Sequence, residues 1–118
     1  MKRYDDQRLS DIDMAIAAIR SHLVRGDLSD GLVFDAVRIR LLEVGEAVKA
    51  ISPSLLATEP GIPWRNIAAM RDQLAHRYFD TEHAIVSGTV TDDLEPLLAA
   101  VRRLQKIASV ALAQKKHR

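Results

Sequence analysis

Arg71, Asp72, His76 and Tyr78 lie within eight residues of one another and carry the side chains best suited to acid–base and phosphate chemistry. A histidine gives or takes a proton near neutral pH. An arginine stays charged and grips two phosphate oxygens with its planar fork. Asp72 stands one helical turn before His76, where it could hold the imidazole or fix Arg71. Tyr78 brings a phenol that could contact phosphate or stack on a base. The same residues also admit a packing role, with His76 and Tyr78 closing a helix end and Arg71 salt-bridged to a neighbour. Upstream, Glu43 and Glu46 are three residues apart on a second helical pattern, a spacing that invites a metal reading. A di-iron bundle needs Glu-x-x-His on two helices, and the chain has no such pair, so no metal site is expected. Glu43 reads as a surface residue.

The element that must carry the first group runs from Ile62 into Asp80. Pro63 suits a first helical turn, where its missing N–H has no partner to lose, and Ile67, Met70, Leu74 and Tyr78 recur at helical spacing to about Phe79. At about 100° per residue, Arg71 and Tyr78 nearly eclipse, whereas Arg71 and His76 diverge by about 140°. One regular helix thus separates the two polar residues. They share a site if the helix loosens near His76, or if a two-fold axis brings a second copy alongside.

The rest of the chain reads as supporting helices. Leu9, Ile12, Ile16, Ile19 and Leu23 form one seam of a helix from Asp5 to Val24, ended by Gly26, with His22 beside the seam as a half-buried structural residue. Asp27 to Gly31 supplies a loop and an N-cap for a helix from Leu32 to Ile51. Its face of Val33, Val37, Val44, Val48 and Ile51 is widened by Leu32, Ala36, Ile39 and Leu42, a stripe broad enough for burial on two sides. Ser52 and Pro53 cap and open a short helix to about Thr58, and Glu59 to Pro63 forces a turn. After the motif helix, Asp80 and Thr81 cap a short helix over Glu82 to Ser87, Gly88 breaks it, and Thr91 or Asp92 caps the last helix through Ala111, with Pro96 in its opening turns. The expected architecture is all-α: an up-and-down bundle of four main helices plus short ones, forming a single domain over residues 1–118.

Composition narrows the partners. The chain has 118 residues, 47% of them hydrophobic, with only five Gly and four Pro, as a helical bundle requires. It has no Cys, which excludes disulfides, thiolate metal sites and a Cys nucleophile. Neither a signal-type start nor a run of about 20 apolar residues occurs, so a soluble cytoplasmic protein without membrane contact is expected. The net charge of +1 conceals a basic C-terminal group of Arg102, Arg103, Lys106, Lys115, Lys116 and Arg118. That group suits RNA phosphates, and equally a solvated helix end whose cations face the negative pole of the dipole.

The segment I-P-W-R-x-I-x-x-M-R-D-x-L-x-H-x-Y, preceded by Val44-Gly45-Glu46-Ala47-Val48, resembles the motifs of the HEPN domain, specifically the small HepT-type toxins, and the match in order and spacing covers roughly Leu32 to Pro96. The resemblance implies a dimeric HEPN-like bundle that cleaves RNA without metal or cofactor. It assigns catalysis to Arg71 and His76 at a cleft shared by a homodimer, places Glu46 near that cleft with Asp72 in support, and implies a type II or VII toxin–antitoxin pair. The implied partner is a minimal nucleotidyltransferase antitoxin, which attaches AMP to the tyrosine that corresponds to Tyr78. The chemistry is physically coherent. Cleavage through the 2′-hydroxyl needs a proton removed, charge stabilised on a phosphorane and a proton returned to the 5′ oxygen, tasks that His and Arg perform. A different class of function also fits the residues: a non-catalytic helical partner of a nucleotidyltransferase whose polar cleft binds a nucleotide.

Overall fold

The structure, a computed structural model, describes residues 4–76 and 79–116. Among these residues every regular element is helical: α1 (Asp5–Arg25), α2 (Gly31–Ala50), α3 (Pro53–Leu56), α4 (Trp64–Ala75), α5 (Phe79–Gly88) and α6 (Leu94–Lys116), with a π-helical turn over Thr89–Asp93 between the last two. The all-α expectation holds. Arg77 and Tyr78 lie outside the described residues, as do Arg118 and the side chains of Lys115 and Lys116.

The apolar seams read from spacing are the core. Leu9, Ile12, Ile16 and Ile19 of α1 are fully buried against Val37, Leu41, Val44 and Val48 of α2. α2 is the central element, packed against α1 on one side and α4 on the other, while α6 returns to pack on α1. From α4 come Ile67, Met70 and Leu74; from α6 come Leu97, Leu98, Val101, Leu104 and Ala108. The wider part of the α2 stripe is covered only in part: Leu32 is 83% and Ile39 49% exposed, whereas Ala36 and Leu42 are half-buried, Leu42 against the core.

Caps and tethers fix the elements in register. Asp30 caps α2, its carboxylate accepting from the N–H of Leu32 at 2.9 Å and of Val33 at 3.4 Å. Ser52 does not cap α3 with its side chain. Its backbone N–H instead donates to buried Asp5 at 3.0 Å, so the α2–α3 corner is tied to the start of α1. Before α4, the Trp64 indole donates to the Glu59 carbonyl at 3.0 Å, and Arg103 of α6 clasps the Glu59 carboxylate at 2.6 to 3.1 Å.

Three boundaries differ from expectation. α4 ends at Ala75, with His76 as its C-cap, rather than running to Phe79. Gly88 does not break the chain, and Thr91 and Asp92 do not cap a new helix; the backbone stays helical through Gly88 (φ −63°, ψ −43°) and passes through the π turn into α6. Asp80 and Thr81 fall inside α5, which starts at Phe79, so they are not its cap. The continuity has a physical cause. Pro96 lies within this long helix, lacks an N–H and would clash with the Asp92 carbonyl one turn back. A widened turn just before it relieves the clash, with the Leu94 N–H reaching five residues back to Thr89. Thr89 also donates its hydroxyl to the Ile85 carbonyl at 2.7 Å, drawing that group out of the regular ladder.

Candidate functional site

The last turn and a half of α4 presents the polar group. Arg71 is half-buried, and its guanidinium donates from Nη1 to Asp72 Oδ1 at 3.4 Å. His76 is exposed at the C-cap, with φ −84° and ψ −8°. Loosening of the helix at this point does not bring His76 round to Arg71. The direction of its Cβ is set by φ, which lies only about 20° from the helical value, so the two side chains remain far apart in azimuth. Tyr78, which would have eclipsed Arg71 on a continuous helix, lies outside the described residues.

Arg71 is placed by Gly45. A Cβ built on Gly45 would stand 2.8 Å from the Arg71 amide nitrogen and 2.9 Å from the Ile67 carbonyl oxygen, closer than real contacts allow. Only glycine lets the backbones of α2 and α4 meet at the turn that carries Arg71. Glu46, the next residue, is exposed and lines a groove between α1 and α2 with Arg8, Asp11, Met14, Arg40 and Glu43. Glu43 is on the surface, as expected, accepting from Arg40 Nη1 at 3.2 Å on both oxygens.

Sequence spacing missed a polar pair behind this end of α4. Arg38 and Glu82 are each 7% exposed, with Arg38 Nε 3.7 Å from Glu82 Oε1. Arg38 also donates from Nη1 to the Leu74 carbonyl at 2.8 Å. Phe34, one turn before Arg38, stacks on His83 with ring centroids 4.1 Å apart and planes 17° from parallel. A signal was present: residues 34, 38, 41 and 45 share one helical face, and Arg38 is the charge within that buried stripe.

The charged C-terminal group divides. Arg103 is engaged by Glu59, whose N–H···O contacts hold the Glu59 carboxyl below its ordinary value and raise the guanidinium above its own. Arg102 and Lys106 are exposed on α6. Among the described residues no group of three or more His, Asp and Glu is gathered as a metal site, and no helix is long and apolar enough to cross a membrane.

Residues 12–104 match the family described as HepT-like, ribonuclease HepT-like. A protein of Thermococcus cleftensis named "probable ribonuclease HepT" is 38% identical over 111 residues, which cover 90% of this chain and 100% of that relative. Two further relatives, from Caldanaerobacter subterraneus and Methanocaldococcus jannaschii, carry provisional RNase names and are 34% and 36% identical over 67 and 69 residues, in each case 60% of the relative and 56% and 58% of this chain. No solved structure matches the chain. A family match over most of its length, on an all-α fold, means that the chain belongs to the HepT-like ribonuclease family of HEPN domains.

Proposed function

We propose that this protein is an endoribonuclease toxin that cleaves RNA without a metal ion, using Arg71 and His76 in a cleft completed by a second copy of the chain. The observation that carries this reading is the azimuth of His76. α4 ends at Ala75, yet His76, its C-cap, keeps close to its helical direction, about 140° from Arg71. Two copies about a two-fold axis supply both residues to one groove, which a single α4 does not.

Uncovered apolar surface supports the dimer. Ile39, Leu42 and Glu46 share the arc of α2 between the sides that meet α1 and α4, and Ile39 stands 49% exposed. Pairing α2 across the axis on this arc buries Ile39, brings Glu46 to the rim of the cleft and sets Arg71 of each copy beside the joint.

In the reaction His76 accepts the 2′-hydroxyl proton as the 2′ oxygen attacks the adjacent phosphorus. The P–O5′ bond then breaks, and a protonated imidazole returns a proton to the leaving 5′ oxygen. Arg71, steadied by Asp72, stabilises the charge that grows on the phosphoryl oxygens. The products are a 2′,3′-cyclic phosphate, or the 3′-phosphate formed from it, and a 5′-hydroxyl.

Control falls to a nucleotidyltransferase antitoxin that attaches AMP to Tyr78, two residues after His76. Phosphate charge and bulk at that point repel an RNA phosphate and occupy Arg71. Co-expression with the partner raises the mass by adenylate units, and Tyr78→Phe escapes both modification and neutralisation. An unmodified Tyr78 in a neutralised complex would mean that the antitoxin blocks the cleft sterically.

The deciding experiment incubates the purified protein with total RNA in EDTA, beside Arg71→Ala and His76→Ala. Cleavage that survives the chelator and is lost in both variants is expected. Activity that vanishes with EDTA and returns with a divalent metal refutes the mechanism; binding of nucleotide with no cleavage points instead to a non-catalytic partner subunit.

A further inference from the structure

The Arg38 guanidinium holds both ends of the segment that carries His76. On one side it donates to the Leu74 carbonyl at 2.8 Å, a group in the last turn of α4 that has no partner within its own helix. On the other it faces Glu82, in the first turn of α5, at 3.7 Å. Leu74 and Glu82 bracket His76 and Tyr78 in sequence. A second link runs in parallel, from Phe34 one turn earlier on α2 to His83, the residue after Glu82.

We infer that Arg38 is a positioning residue, which with Glu82 fixes the C-terminal end of α4 against α2 and so sets the place of the His76 imidazole relative to Arg71. The inference rests on the proposed role of His76 in proton transfer. A guanidinium fits the task, because its Nη1 donates to the Leu74 carbonyl while its Nε edge stands 3.7 Å from the Glu82 carboxylate, whereas a lysine ammonium is a single point of charge. Stability alone does not account for the pair. Burying two charges costs about as much as their attraction returns, and apolar replacements of similar volume are often neutral or stabilising. The arrangement even leaves Glu82 Oε1 buried without a hydrogen bond among the described residues. What the pair supplies is direction: it joins α2, α4 and α5 at the one place where the chain leaves α4.

The test uses the full-length protein carrying Arg38→Met with Glu82→Leu, beside Arg38→Lys. The double variant removes the clamp while leaving no unpaired charge. It is expected to fold with a thermal midpoint close to that of the unmodified protein, to shift the His76 imidazole resonances in NMR spectra, and to lose roughly 100-fold in kcat with KM nearly constant, the scale of a misplaced catalytic group. Arg38→Lys is expected not to restore kcat. A double variant with unchanged kcat and unchanged His76 resonances overturns the inference. So does a double variant that fails to fold, because the pair would then hold the fold rather than the segment. If the unmodified protein cleaves no RNA, the catalytic reading fails by itself, and the His76 resonances still decide whether Arg38 governs that residue's position.

Discussion

Replacing Gly45 with alanine sets two effects of opposite sign against each other. Within a helix, alanine is favoured over glycine by about 1 kcal/mol, because glycine loses more backbone entropy on folding. On that ground alone Gly45→Ala stabilises α2. Against it stand the contacts of the added methyl, 2.8 Å from the Arg71 amide nitrogen and 2.9 Å from the Ile67 carbonyl oxygen. Both are backbone atoms in the middle of α4 and cannot rotate away. Reaching an ordinary separation of 3.4 Å means opening the α2–α4 contact by about half an ångström (3.4 − 2.8 = 0.6 and 3.4 − 2.9 = 0.5). Overpacking of this kind costs about 1–3 kcal/mol, so the net change is a loss of about 1 kcal/mol, which for a chain of this length lowers the thermal midpoint by about 4 °C. The displacement acts directly on the turn bearing Arg71, so cleavage of RNA should fall further than stability, by about tenfold. Circular dichroism melts and a gel-based cleavage assay measure the two changes. A raised midpoint with full activity would refute the reasoning, because it would show that helix propensity outweighs the clash and that α4 has room to give.

Two further outcomes follow from other contacts. Glu59 has its carboxyl held below the ordinary value by Arg103, so this contact contributes fully above the unfolded value of about 4.3 and is lost as pH falls through the depressed folded value. Urea titrations at pH 7 and pH 3 should show Arg103→Met destabilised at the higher pH and the deficit smaller at the lower; an equal deficit at both would assign the effect to lost packing. Ile39→Glu places a charge on the exposed apolar arc of α2, and should yield a monomer by light scattering that has lost RNA cleavage while keeping its helical content, whereas a dimer with full activity would move the two-fold axis to another face.

The helices were legible because their seams are local: Leu9, Ile12, Ile16 and Ile19 recur at three and four residues, and all four are fully buried. The end of α4 was not, because nothing in His76-Arg77-Tyr78-Phe79 is a glycine or a proline, and apolar spacing continues into Tyr78. The chain leaves the helix where a guanidinium from α2, 36 residues earlier, meets the Leu74 carbonyl, a tertiary contact to which periodicity within α4 is blind. At Gly88 the failure was the reverse: a residue that often breaks helices is carried through one, because the strain of Pro96 is spread over the π turn at Thr89–Asp93. The catalytic candidates were legible as a motif, whereas the parts that aim them are Gly45 and Arg38, one without a side chain and one a charge in an apolar stripe. Their common property is position. Both lie on the single face of α2 that also holds Phe34 and Leu41, and along it α2 touches α4 at the turn of Arg71 and at the carbonyl two residues before His76. α2 is therefore the common reference for the turn of Arg71 and for the Leu74 carbonyl two residues before His76. Tilting α2 would shift Arg71 and His76 together, while substitutions at Gly45 or Arg38 shift them separately, and that difference makes the two positions the sharpest probes of whether the motif acts as a unit.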